Sequence, residues 1–303
     1  MITYYKRELK GKKLKKIKSF EKNCWINVVN PTEKEISYLT KNYDLDEPNL
    51  ISGTDKNEVP RVEKDDKTLY IILKILSSNK RDLETFLIIM SPTYILTLSK
   101  NQPKFIDKII DNTTNFVTTK KLSCLMTLLL KINNEFEKST LHIAKQVNSE
   151  KKAIVERPSE RDLDNLLFQE ESLNHFVSSY KYTNLVYERI IKQINFMEED
   201  EEQMQDLKIE AKQGLDICLA SLKTISNLRN HLEVSLSNRL NKVITLLTIF
   251  TVVITVPAAI SGLYGMNIIL PLQNNPHIFS YLLGTIVIFW SIFILYLKKK
   301  EII

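Results

Sequence analysis

The chain has 303 residues, enough for two average domains, with 42 Lys and Arg against 36 Asp and Glu for a formal net charge of +6. So mild a charge, with both signs interspersed, argues against a nucleic-acid-coating protein. The three distant cysteines (Cys24, Cys124, Cys218) and four scattered histidines (His142, His175, His231, His277) form no metal-ligand spacing and no nucleophile–base pair, so an enzyme fits poorly.

In chain order, residues 1–119 read as an α/β domain. The lysine cluster Lys12, Lys13, Lys15, Lys16 and Lys18 has no aromatic or glycine interleaving and reads as a solvated stretch. No apolar run long enough for a cleavable signal peptide lies within residues 1–18, so the C-terminal helices are expected to direct membrane insertion. A strand is expected over 24–29, ending at Asn30-Pro31, and a helix over 32–41. Further strands are expected over 68–76, 85–90 and 94–98, the last two joined by a hairpin turn at Ser91-Pro92-Thr93.

From about residue 120 the texture changes. Between Pro103 and Pro257 only Pro158 occurs, and apolar residues recur at helical spacing, as in Leu163, Leu166, Leu167 and Leu173. Helices are expected over about 120–155, 160–196 and from near Glu201 onward, forming a helical stalk region over 120–242. The acidic run from Glu198 to Glu202 reads as a solvated turn that favours a helix N-terminus. The third helix meets no proline before Pro257, a run of roughly 60 residues or about 90 Å at 1.5 Å per residue. That exceeds the bilayer core several-fold. A helix this long needs partners on its apolar stripe, so self-association is expected.

No Asp, Glu, Lys or Arg occurs between Lys242 and Lys298, whereas charges are dense before Lys242. A soluble core rarely has so long an uncharged stretch; a bilayer accommodates it. Residues 243–263 and 278–297 are each about 20 residues long, the length needed to cross. Arg239 and Lys242 flank the first span, and Lys298, Lys299 and Lys300 flank the second, while the connector 264–277 has no Lys or Arg. The positive-inside rule then places both termini in the cytoplasm and the connector outside. The chain reads as a multi-pass plasma-membrane protein with a cytoplasmic basic tail over 298–303.

The first span carries a polar seam. Asn241, Thr248, Thr255 and Gly262 are spaced by seven, and Ile244, Thr251 and Ala258 form a second row. In a parallel bundle such positions face the common axis. Ile249, Phe250, Val253 and Ile254 point elsewhere, at lipid or at the second span. The seam suits a narrow, uncharged lumen. Equally, membrane threonines bond their own i−4 carbonyls, and small or hydroxyl residues mark ordinary helix packing. Periodicity leaves the two readings even.

Directly after this span stands Tyr264-Gly265-Met266-Asn267. The tetrapeptide resembles the Gly-Met-Asn signature of the CorA family of magnesium channels, in its usual place. The similarity covers residues 235–300 in detail and the α/β body in outline. It implies a funnel-shaped homopentamer, with the first span lining the pore and the second packed outside. Gly265, Met266 and Asn267 would then form the selectivity ring. Asn241, Ile244, Leu247, Thr251, Thr255 and Ala258 would line the pore, with Ile244 and Leu247 as a hydrophobic gate, and Lys298, Lys299 and Lys300 would join a basic collar. Asp206, with Asp82 as a guessed partner, would sense internal magnesium.

The connector departs from the family in carrying no acidic residue, which leaves the metal open among Mg2+, Zn2+, Co2+ and Ni2+. The expected function is membrane-potential-driven uptake of divalent cations, magnesium first. Two alternatives are zinc transport of the ZntB type and a membrane-anchored sensor or scaffold that transports nothing.

Overall fold

The computed structural model describes residues 1–9, 11, 13–77, 82–111, 116–269, 271 and 275–299. Contacts group the chain into two units, Met1–Arg229 and Asn230–Ile303.

The first unit is built on a seven-stranded sheet: β1 (Ile2–Lys6), β2 (Lys15–Ile17), β3 (Trp25–Val29), β4 (Arg61–Asp65), β5 (Thr68–Leu76), β6 (Leu83–Met90) and β7 (Ile95–Ser99). Their order is β2-β1-β3-β7-β6-β5-β4, antiparallel except for β3 against β7. The expected hairpin joins β6 to β7, closed where the Ser91 N–H donates to the Tyr94 carbonyl at 3.0 Å. Strands β1, β2 and β4 were not expected. Part of the lysine-rich stretch is β2, a three-residue edge strand whose exposed Lys15 and Lys16 discourage further pairing.

The two faces of the sheet are covered differently. Helices α1 (Glu33–Tyr43) and α2 (Glu47–Ser52) share one core with Ile26, Val28, Ile72, Leu87, Ile89, Leu96 and Leu98. Thr32 and Glu35 form a capping box that starts α1, and Asp46 caps α2 through the Asn49 N–H. On the opposite face Trp25 lies between Tyr5 and Phe116, with ring centroids 5.2 and 5.0 Å away. Its indole N–H donates to Thr97 Oγ1 at 2.8 Å, and that hydroxyl donates to Asn27 Oδ1 at 3.0 Å, so the polar groups buried here are paired.

Four helices follow the β1–β7 sheet: α3 (Lys104–Ile110), α4 (Lys121–Glu156), α5 (Glu160–Gln193) and α6 (Glu198–Tyr264). Helices α4 and α5 contact β5, so they cover the sheet as well as each other. Glu188–Lys208, Tyr180–Gly214 and Glu170–Arg229 are successive contacts whose numbers run in opposite directions, so α5 and α6 are antiparallel. Within the first unit α6 buries Met204, Leu207, Ala211, Gly214, Cys218, Ser221, Ile225 and Leu228, alternating three and four residues apart. That alternation makes a coiled-coil-like seam. The acidic run opens α6, where four carboxylates in the first turn face the positive end of the helix dipole.

In the second unit α6 continues as a helix through Pro257, and α7 (Ile278–Lys299) follows. An Asx turn, with Asn275 Oδ1 accepting from the His277 N–H at 2.9 Å, precedes α7. Both helices are long and apolar enough to cross a membrane, and neither apolar window is buried within the chain.

Gly214 marks the tightest helix approach. A Cβ there would lie 2.4 Å from Tyr180 Cζ, on a ring whose hydroxyl is 3.2 Å from Thr140 Oγ1 of α4. Gly214→Ala gains about 1 kcal/mol of helix propensity but overpacks the junction by about 1–3 kcal/mol. Its thermal midpoint in detergent is expected to fall; an unchanged or raised midpoint would show that the junction has room.

Candidate functional site

The geometry of the seam follows from α6 continuing unbroken into the second unit. Thr245, Ile249, Val252, Val253, Val256, Pro257 and Ile260 are half-covered, and this spacing marks one sheltered stripe. On α7 the sheltered positions include Ile278, Leu282, Ile286, Trp290, Phe293 and Leu297, again at helical spacing. The expected lumen residues Asn241, Ile244, Leu247, Thr251, Thr255 and Ala258 are all exposed. At 100° per residue their row lies about 150° from the sheltered stripe of α6, nearly on the opposite side of the helix. Of the four aliphatic or aromatic residues expected to point elsewhere, Ile249 and Val253 fall on the sheltered stripe, while Phe250 and Ile254 are exposed.

The threonines use their hydroxyl protons locally. Thr248 Oγ1 donates to the Ile244 carbonyl at 2.9 Å, Thr251 to Leu247 at 2.9 Å and Thr255 to Thr251 at 2.7 Å. Each hydroxyl proton is spent on the backbone, so what remains on the exposed row is oxygen lone pairs. Thr248 has the same exposure and bonding as the other two and belongs to the same row, although it stands outside the pore positions inferred from the resemblance.

The helix ends at the Gly-Met-Asn motif. The Gly265 N–H donates to the Ser261 carbonyl at 2.9 Å, and a Cβ on Gly265 would come within 3.2 Å of that same oxygen. Glycine therefore allows the chain to leave the helix close to its last turn. Met266 and Asn267 are exposed beyond it.

The carboxylates are placed less suggestively. Asp206 lies on the exposed side of α6, and Asp82 lies 3.5 Å from Lys56 Nζ in an exposed ion pair. Among the described residues no group of three or more His, Cys, Asp or Glu side chains could hold a metal ion. Lys298 and Lys299 are exposed in the last turn of α7, and Lys300 lies outside the described residues.

Comparisons with known proteins bear on both halves of the chain. A family model described as CorA-like Mg2+ transporter protein matches residues 20–299. The cobalt/magnesium transport protein CorA of Methanocaldococcus jannaschii is 26% identical over 292 residues, covering 91% of this chain and 90% of that protein. The complete structure of the CorA magnesium transporter from the same organism superposes with a TM-score of 0.81 at 22% identity, over 98% of this chain and 97% of the other. The ZntB cytoplasmic domain from Vibrio parahaemolyticus superposes with a TM-score of 0.65 at 10% identity, over 78% of this chain and 98% of that domain. At such identities the superpositions show a shared fold.

The three thiols lie outside the spans and are buried. Burial raises the pKa of Cys24, pushes Cys124 up to about 12 and pushes Cys218 up to about 11. Only the thiolate reacts, so at neutral pH the thiolate fraction of Cys124 and Cys218 is below about one in a thousand. Maleimide labelling of the native chain at pH 7 is expected to be slow and to become complete on denaturation. Rapid labelling without denaturant would contradict this burial.

Proposed function

Because the chain belongs to the family of CorA-like Mg2+ transporters, we infer that it forms a membrane channel for divalent cations, with magnesium as its first cargo. The observation that supports this reading is the exposed row on α6, from Asn241 through Thr255 to Ala258, which ends at Gly265-Met266-Asn267. The threonine protons of this row are bonded within the helix wherever it faces, but the Asn241 amide turned toward lipid would find no polar surroundings. Facing a shared axis, the row lines a passage. Five copies of the chain give such an axis, with Asn267 amides in a ring at its outer end and both termini in the cytoplasm.

A hydrated dication carries its own solvent shell, with the hydrogens of its bound waters pointing outward. Threonine oxygens whose protons are committed to the helix are acceptors for those hydrogens. The fit is to an ion that keeps its water, and magnesium dehydrates more reluctantly than larger divalent ions. The lumen holds no carboxylate to trap the ion, and the membrane potential supplies the drive, about 2.3 kcal/mol per elementary charge per 100 mV. Ile244 and Leu247, at the inner end of the row, are the hydrophobic constriction that closes it.

Regulation by internal magnesium is assigned to Asp206, with Asp82 of a neighbouring copy as its partner. The Asp82–Lys56 pair is exposed on both sides, at 55% and 61%. Exposed pairs of this kind contribute about 0–1 kcal/mol, so a dication can displace the lysine.

In proteoliposomes, Asn267→Ala is expected to lower magnesium flux about tenfold or more, equivalent to about 1.4 kcal/mol of lost ion stabilisation. Undiminished flux would remove the selectivity ring from the proposal. Competition among magnesium, zinc, cobalt and nickel fixes the cargo order, and zinc ahead of magnesium would favour the ZntB-type reading. Flux of no metal at all would point to a membrane anchor. Asp206→Ala should leave flux less inhibited by internal magnesium, and unaltered inhibition would dismiss the assigned sensor.

A further inference from the structure

A cavity of about 520 Å³ in the first unit holds groups that ion conduction does not use. Its walls are the loop between α2 and β4, the facing strands β5 and β6 at Lys74 and Leu83, and one stripe of α5. That stripe presents His175, Ser179 and Tyr182, four and three residues apart, which places them on one side of the helix.

Lys74 is an anomaly of the sheet. It sits in an otherwise apolar strand and is only 9% exposed. Its ammonium donates to the Lys56 carbonyl at 2.6 Å and to Thr85 Oγ1 at 2.9 Å, and both acceptors are neutral. An ammonium has three N–H donors, and among the described residues the third has no acceptor. Burial pulls the Lys74 pKa down, with Asp55 and Glu58 only partly opposing it. The carboxylates on the rim are engaged elsewhere: Glu58 by Arg61 Nη1, and Asp82 by Lys56 Nζ at 3.5 Å. Lys74 is therefore a buried cation with no counter-charge in contact, an expensive arrangement unless something completes it.

Ser179 makes an independent case. It is 2% exposed and lines the same cavity, yet its hydroxyl has no hydrogen-bond partner. Two turns earlier, the Ser172 hydroxyl donates to the Phe168 carbonyl at 3.1 Å, the usual resort of a serine within a helix. Ser179 forgoes that bond and leaves a buried donor open.

We propose that this cavity is a binding site for a small oxyanion of the phosphate type, held between the Lys74 ammonium on the sheet and the Ser179 hydroxyl on α5. Several oxygens on one centre give each wall its own acceptor, whereas a halide offers a single spherical one. His175 and Tyr182 supply further donors on the helix side, and the volume beyond a bare phosphate leaves room for a substituent on it. Binding would tie α5 to the sheet and remove two unsatisfied donors in one step.

The test uses the full-length protein in detergent at constant ionic strength, titrated with sodium phosphate, sodium acetate or sodium chloride. Phosphate is expected to broaden its own phosphorus resonance saturably and to raise the thermal midpoint by a few degrees, with little effect from chloride or acetate. Ser179→Ala should weaken phosphate binding about fivefold or more while leaving the phosphate-free midpoint unchanged or higher, because it deletes an unpaired buried hydroxyl. Lys74→Met should abolish binding; if that variant does not fold, Ser179→Ala decides alone. No saturable phosphate effect up to about 10 mM, equal effects of chloride or acetate, or undiminished binding by Ser179→Ala would each overturn the site.

Discussion

One helix has to satisfy two solvents without a break. Helix α6 runs through 67 residues, and apart from the donor missing at Pro257 its interior backbone can bond within the helix, as lipid requires of any segment that crosses it. In the first unit its side chains obey the rules of a water-soluble core, with one buried seam and charged flanks. Beyond Lys242, within the second unit, the charges vanish and an exposed row of hydroxyl and small side chains takes their place. Everything assigned to ion passage depends on this continuity, because the row lies on the helix at whose end the Gly-Met-Asn motif follows.

The membrane segments show how the same atoms serve helix stability and transport. Threonine is a middling helix former, and its hydroxyl competes for backbone bonds. In α6 that competition is resolved locally, by donation to the carbonyl one turn back. A hydroxyl so committed turns only acceptor oxygens toward a lumen. Local helix packing and lumen lining, which periodicity leaves even, are thus not alternatives at the level of the hydroxyl. The hydrogen bond satisfies the proton, and the exposed face decides what meets the oxygen.

The soluble unit relies on a different economy. Its sheet buries Trp25, Thr97 and Asn27 as a paired polar chain, so burial there leaves few orphaned groups. Gly214 lets the Tyr180 ring cross α6 toward Thr140, joining three helices at one contact. Other buried hydroxyls, such as those of Thr40 and Tyr187, also lack a partner, but Lys74 and Ser179 bring their unused donors to one cavity.

Much of this was legible in the residues. The uncharged stretch with lysines beyond both spans determined two membrane helices, because burying charge in lipid is costly whatever the fold. The hairpin at Ser91-Pro92-Thr93 and the break at Asn30-Pro31 before α1 were read from turn signals, which are local. Strands β1, β2 and β4 were missed because they are short, polar or at the edge of the sheet, where pairing is set by distant neighbours. Gly265-Met266-Asn267 and the threonine row were visible as a pattern, but only the structure decided which side of α6 is sheltered. It likewise paired Asp82 with Lys56 and brought Lys74 of a strand together with Ser179 of a helix more than a hundred residues later. Sequence fixes what each residue can do within a few turns of itself. Which distant groups meet depends on how buried surfaces fit, and that is decided only when the chain folds.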